Sequence, residues 1–144
     1  MKRTLVLMLI SLVMLACGEK SNAVTAKEQT VGVKDCVEVI YFHGKQRCVT
    51  CRAIEQHTKD VLNAQYAKQM NAGRVVWRVI DISKKENEAI AEKYQVTWSS
   101  LFLVKHKNGK EQTENLTEFA FGNARSNPDK FKQGLQQRIN QALK

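Results

Sequence analysis

Cys48-Val49-Thr50-Cys51 constrains this chain more than any other feature, because of what lies on either side of it. Before it runs Val37-Glu38-Val39-Ile40-Tyr41-Phe42, β-branched and aromatic apart from Glu38, which reads as a buried strand. After it, Ile54, Val61, Leu62, Tyr66 and Met70 recur at helical spacing. Two cysteines separated by two residues at a strand-to-helix junction close and open a disulfide with little backbone movement. That pattern reads as thiol–disulfide redox chemistry. The other readings are a static disulfide or an inert reduced pair. A static bridge across so short a loop adds little, since the stabilisation grows with the length of the loop closed.

The compartment follows from the start of the chain. Lys2 and Arg3 precede an apolar run from Leu5 to Ala16, broken only by Ser11. The run is short for a membrane span and has the charged-then-apolar layout of a secretory signal. It ends in Met14-Leu15-Ala16-Cys17-Gly18, which resembles a bacterial lipoprotein signal. The expectation is cleavage before Cys17, leaving it as the lipidated N-terminus; an ordinary signal peptide cut nearby is the alternative. Residues 1–16 are then the signal, and residues 17–33, small and polar, a flexible tether. Residues 34–144 suffice for one domain with its own core. The protein is expected to be exported and held to a membrane at Cys17, facing the periplasm or the cell exterior.

The 144-residue chain carries a net charge of +9, and losing Lys2 and Arg3, with no acid, takes it to +7. The basic residues are dispersed, without a run of five or more. A solvated basic surface explains that distribution, and no nucleic-acid partner is expected. Of the four cysteines, Cys36 begins the first strand. Six extended residues span roughly 20 Å, so Cys36 lies beyond disulfide reach of the pair.

The remaining elements follow from local signals. The first helix begins at or just after Cys48, with a possible break near Thr58 recapped by Thr58 and Asp60, and ends at Asn71-Ala72-Gly73. Val75 to Ile82 is a second strand. Ser83, with Glu86 three residues on, starts a helix through Tyr94 whose inner face is Ala89, Ile90 and Tyr94. Leu101 to Lys105 is a third strand, Lys107-Asn108-Gly109-Lys110 a hairpin turn, and a fourth strand ends before Leu116. Asn127 caps a final helix with Pro128 at its first position and Phe131, Leu135, Ile139 and Leu143 on its buried stripe. The strand–helix–strand unit implies parallel pairing and the hairpin adds an antiparallel strand, giving a mixed sheet with helices on both faces.

This order, with a C-x-x-C opening the first helix, resembles the thioredoxin-like superfamily over roughly Lys34 to Lys144. Beyond the cysteines the resemblance rests on Lys93-Tyr94-Gln95-Val96, leading into Leu101-Phe102-Leu103-Val104 and then Lys107-Asn108-Gly109-Lys110. It implies an α/β three-layer sandwich with a mixed, mostly four-stranded sheet. Three departures stand out. The superfamily's cis-proline is missing, Ser99 or Ser100 standing in its place after Trp98. A cis bond before a residue other than proline costs about 3 kcal/mol, so a trans loop is expected. The buried acid of the first strand is also absent, Tyr41 and Phe42 standing there. Val49-Thr50 matches none of the familiar dipeptides between the cysteines. The chain therefore resembles an exported lipoprotein branch of the superfamily that lacks the cis-proline.

At the site, a helix N-terminus together with Lys45, Arg47 and Arg52 favours the thiolate that attacks. Cys48, exposed at the helix start, is the expected nucleophile and Cys51, one turn in, the resolving thiol. His43 follows the strand and is a candidate acid–base in place of the missing carboxylate; a plain loop residue is the alternative. Trp98, Ser99 and Ser100 are candidates for a substrate groove, and Trp77 for the core. His43, Cys48, Cys51 and His57 do not have standard zinc spacing, so no metal or other cofactor is expected, although an open pair without the proline leaves a metal or cluster carrier as a second reading. A binding module that no longer turns over is a third. The expected partners are protein thiols and disulfides and an unidentified redox partner.

Overall fold

The computed structural model describes residues 35–144. The expected signal, the lipidation site Cys17 and the tether lie outside the described residues. Strand β1 (Cys36–His43) is the centre of the fold, paired in parallel with β2 (Val75–Asp81) and antiparallel with β3 (Ser100–Lys107). Strand β4 (Lys110–Asn115) pairs antiparallel with β3, so the sheet order is β2-β1-β3-β4.

Because side chains alternate across a strand, β1 feeds two cores. Val37, Val39 and Tyr41 face one side, with Val75, Leu101 and Leu103. Against them pack Ile54, Val61 and Leu62 of α1 (Val49–Gln65), Ala120 of α4 (Thr117–Asn123), and Phe131, Leu135 and Ile139 of α5 (Pro128–Ala142). Ile40 and Phe42 face the other side with Ile80, Phe102 and Val104, covered by Ile90 and Ala91 of α3 (Glu88–Lys93) and by Tyr94 at its C-terminal end. A strand covered on both faces is apolar where both faces are buried, which is why β1 runs continuously apolar from Val39 to Phe42 rather than alternating. Each such large side chain contributes about 1.5–3 kcal/mol on burial. The result is the α/β three-layer, thioredoxin-like arrangement that the resemblance implies, with a mixed four-stranded sheet and helices on both faces.

The structure corrects several element boundaries. Helix α1 runs unbroken through Thr58, which is fully buried. Thr58 shares a face with Ile54, Val61 and Leu62, so it packs inward instead of capping. The break comes at Tyr66, before the short α2 (Ala67–Asn71), where the phenol donates to the Gln136 carbonyl at 3.0 Å and Asn140 Oδ1 at 2.8 Å. The capping box at Ser83 does not form. Asp81 organises that turn instead, accepting from the Ser83 amide at 3.0 Å and its hydroxyl at 2.7 Å. A 3₁₀ turn at Lys85–Asn87 then leads into α3, whose inner face uses Ala91 rather than the exposed Ala89. Helix α4 has no counterpart in the sequence reading. Asn115 Oδ1 accepts from the Thr117 amide at 2.9 Å to start it, and Phe119 stacks on Phe131 with centroids 5.8 Å apart.

Other local signals hold. Asn108 and Gly109 have φ of 52° and 72°, the two positive values that the primed hairpin turn needs. Asn127 Oδ1 accepts from the Lys130 amide at 3.2 Å with Pro128 at the first helical position.

Candidate active site

Strand β1 delivers the chain to His43, and the loop through Arg47 turns it into α1. Cys48 is the N-cap, its backbone extended at φ −68° and ψ 166°. Its sulfur accepts from the Cys51 amide at 3.0 Å, in the way a cap oxygen would. Cys48 and Cys51 form a disulfide with Cα atoms 5.0 Å apart. The two residues differ in access: Cys48 is exposed, while Cys51 is only 6% exposed.

Lys45, Arg47 and Arg52 flank the pair in sequence. The first turn of α1 contains no acidic residue. Arg52 donates to the Arg47 carbonyl at 2.7 Å, Lys45 is exposed in the loop, and Arg47 pairs with Glu55 one turn further along. The Arg47 guanidinium lies 5.8 Å from the centroid of the Tyr41 ring.

Beneath the pair lies Tyr41, fully buried, whose hydroxyl donates to the Cys51 carbonyl at 2.8 Å. Burial pushes its phenol above the ordinary tyrosine value, and hydrogen bonds from Ser99 and Arg47 pull partly against that rise. The sequence places Tyr41 in the buried first strand, where the superfamily's acid is absent, and assigns its hydroxyl no role. The available signal was a hydroxyl within a strand buried on both faces, which has to find a partner.

Pairing of β1 with β3 sets Phe42 opposite Ser100 and Tyr41 opposite Leu101, so the loop before β3 arrives at the cysteine end of the sheet. Trp98 is 58% exposed and lies against Phe121 with centroids 5.2 Å apart. Ser99 and Ser100 are buried, and the Ser100 hydroxyl donates to the Trp98 carbonyl at 3.0 Å. Of the three groove candidates, only Trp98 therefore presents a side chain to solvent. Every peptide bond among the described residues is trans. Val49, between the cysteines, is also exposed.

His43 closes β1, and its described contacts run elsewhere than to the sulfurs. Nδ1 lies 3.0 Å from the Gly44 carbonyl, the ring is 6.1 Å from that of Tyr41, and Asp81 is its neighbour across the sheet. His57 sits on α1 with Nδ1 3.6 Å from Asp60 and its ring against Phe131. Among the described residues no group of three or more histidines, cysteines and carboxylates is placed to hold a metal ion. Cys36 is a free thiol at the opposite end of β1, and its pKa is raised by burial first and then by the carboxylates of Glu38 and Asp35. A cavity of about 840 Å³ opens between Ile82–Lys85, α3 and Gln95–Thr97, and neither cysteine lines it.

No protein-family model matches the chain, and no curated protein matches it. Solved structures give distant likenesses. A thioredoxin from Thermus thermophilus aligns with TM-score 0.46 and 17% identity over 74% of this chain and 72% of its own. A Fasciola hepatica thioredoxin aligns with TM-score 0.45 and 21% identity, over 74% of this chain and 81% of its own. Thioredoxin-2 of the malaria parasite, described as a component of protein secretion machinery, reaches TM-score 0.41 and 23% identity over 57% and 71%. At these values the fold rests on the strand order and on the helix that Cys48 opens, not on the likenesses.

Proposed function

We propose that this chain is an extracytoplasmic thiol–disulfide oxidoreductase acting through Cys48 and Cys51. The observation that carries the reading is the asymmetry of the pair: an exposed residue capping a helix, bonded to a buried one a single turn in. In the reducing direction the Cys48 thiolate attacks one sulfur of a substrate disulfide. The mixed disulfide forms and the first substrate thiolate leaves. Cys51 then loses its proton and attacks the Cys48 sulfur, closing the pair and releasing the second substrate thiolate. Two electrons pass from the pair to the substrate, whose two sulfurs end as thiols; oxidation is the reverse. The helix N-terminus and the surrounding cations stabilise negative charge on the outer sulfur during both steps.

The substrates in this reading are protein disulfides or thiols, approached across the exposed Val49 and Trp98. The hydrogen bond and ring contact of His43 are with Gly44 and Tyr41, and the reading routes no proton through it. The charged-then-apolar start of the chain and Cys17 support export and a lipid anchor, and the absence of proline at residues 97–100 supports a branch without the cis-proline. A glutathione titration of the protein, checked for bound metal, tests the activity. The expected result is a reversible potential between roughly −270 and −120 mV. A pair that never closes, or one that resists reduction below about −300 mV, overturns it and favours a binding module or a metal carrier.

A further inference from the structure

The geometry points to Tyr41 as the positioning residue of the pair: its hydroxyl fastens the Cys51 turn of α1 to β1 so that the inner sulfur stays within reach of Cys48 when the disulfide is open. This rests on the redox reading above. Four observations support it. The Tyr41 side chain is fully buried on the central strand, so its position is fixed by the core around Val39, Ile54 and Leu101 rather than by the cysteines. Its hydroxyl donates to the backbone carbonyl of Cys51 itself, at 2.8 Å. That carbonyl belongs to the first turn of α1, where a helix is least held by its own hydrogen bonds and frays first. Around the same side chain, the Arg47 guanidinium, from the loop before Cys48, lies 5.8 Å from the ring centroid, and it and Ser99, from the loop before β3, pull the phenol's pKa down against the rise that burial causes. The buried hydroxyl thus ties the central strand directly to the turn that carries Cys51.

The consequence concerns the open state. With the disulfide formed, the covalent bond alone keeps the two residues together. With it reduced, the turn is held only by its non-covalent contacts, and the effective concentration of one thiol at the other depends on how narrowly those contacts hold it. Removing the hydroxyl leaves the oxidised form almost unchanged and lets the reduced form spread over more conformers. Disulfide closure then becomes less favourable and slower.

The test compares four proteins by glutathione titration and by the rate at which a glutathione mixed disulfide on Cys48 resolves. They are the unchanged chain, Tyr41→Phe, Ser99→Ala and Tyr66→Phe. Tyr66 is the control: it is buried, and it too hydrogen-bonds a neighbouring helix, at Gln136 and Asn140, but far from the sulfurs. Tyr41→Phe is expected to lower the closure equilibrium about three- to tenfold, which makes the potential less negative by roughly 15–30 mV, and to slow resolution by a similar factor. Ser99→Ala should move both in the same direction by less, and it carries the test if Tyr41→Phe does not fold. Tyr66→Phe should move neither. A reversible unchanged chain whose Tyr41→Phe variant matches it overturns the positioning role and spares the redox reading. Equal shifts in Tyr41→Phe and Tyr66→Phe also overturn it, since the effect would then be general loosening. An unchanged chain without a reversible potential takes both down.

Discussion

Strand β1 meets cysteine at both of its ends, and the two ends treat sulfur in opposite ways. At its start, Cys36 lies half-buried beside Glu38 and Asp35, and burial and both carboxylates hold its proton on. Past its end, Cys48 is exposed at the N-cap of a 17-residue helix whose first turn carries no acid, among Lys45, Arg47 and Arg52. The residue type is the same and the distance along the strand is short. What differs is the backbone that receives the sulfur and the sign of the neighbouring charge, the two factors that set thiolate character. In the proposed reading, reactivity is a property of the strand-to-helix junction, not of cysteine content.

The sharpest way to break this comparison is to remove the sulfurs one at a time. Cys48→Ser and Cys51→Ser should each abolish disulfide turnover, with Cys51→Ser accumulating the mixed disulfide, while Cys36→Ser leaves turnover as it was. A turnover assay with a protein disulfide checks all three. Next in size is a change that should affect both ends alike. Phe131 is fully buried beneath α1 and α4, so Phe131→Ala should cost about 3–5 kcal/mol in urea unfolding. That variant should leave the order of thiol reactivity intact in whatever fraction stays folded.

A smaller effect sharpens the Cys36 side. With the pair oxidised, alkylation of Cys36 should need more alkaline solution than an ordinary thiol does. Glu38→Gln should move that profile part of the way back, because burial, the larger cause, remains. The smallest effect is expected at the surface pair Lys93–Glu111, 2.6 Å apart on the α3 side. Burial pushes the Glu111 carboxyl up, but the hydrogen bond and charge of Lys93, with His106 adding to them, leave it below the ordinary carboxylate range. A depressed carboxyl stabilises the fold above its unfolded pKa, and that contribution disappears as pH falls through the folded value. Glu111→Gln should therefore cost less than about 1 kcal/mol at neutral pH, and the urea midpoints of variant and parent should converge in strong acid.

Much of this was legible in the sequence because it is local chemistry. Asn108-Gly109 dictates its own turn, Asn127-Pro128 its own helix start, and the Cys48–Cys51 spacing its own junction. The continuous apolar run of β1 announces a strand covered on both faces. What stayed hidden depends on partners distant in sequence. Helix α4 is seven residues long and exists because Asn115 caps it and Phe131 receives Phe119. Thr58 has the composition of a cap, but the docking of α1 on the sheet buries it on the packed face. Tyr41 showed only that an acid was missing; that its hydroxyl reaches Cys51 follows from the way α1 docks on the sheet. The site was readable as a pair of cysteines, and the support beneath it was not.

The most direct measurement of the central claim is the site of first attack. Cys51→Ser protein, fully reduced, is exposed briefly to limiting glutathione disulfide, and the adduct is located by peptide mass spectrometry. The account predicts glutathione on Cys48, with Cys36 unmodified on that timescale. Glutathione on Cys36 in preference to Cys48 would contradict it, because the strand-to-helix junction would then not be what makes a cysteine of this chain reactive.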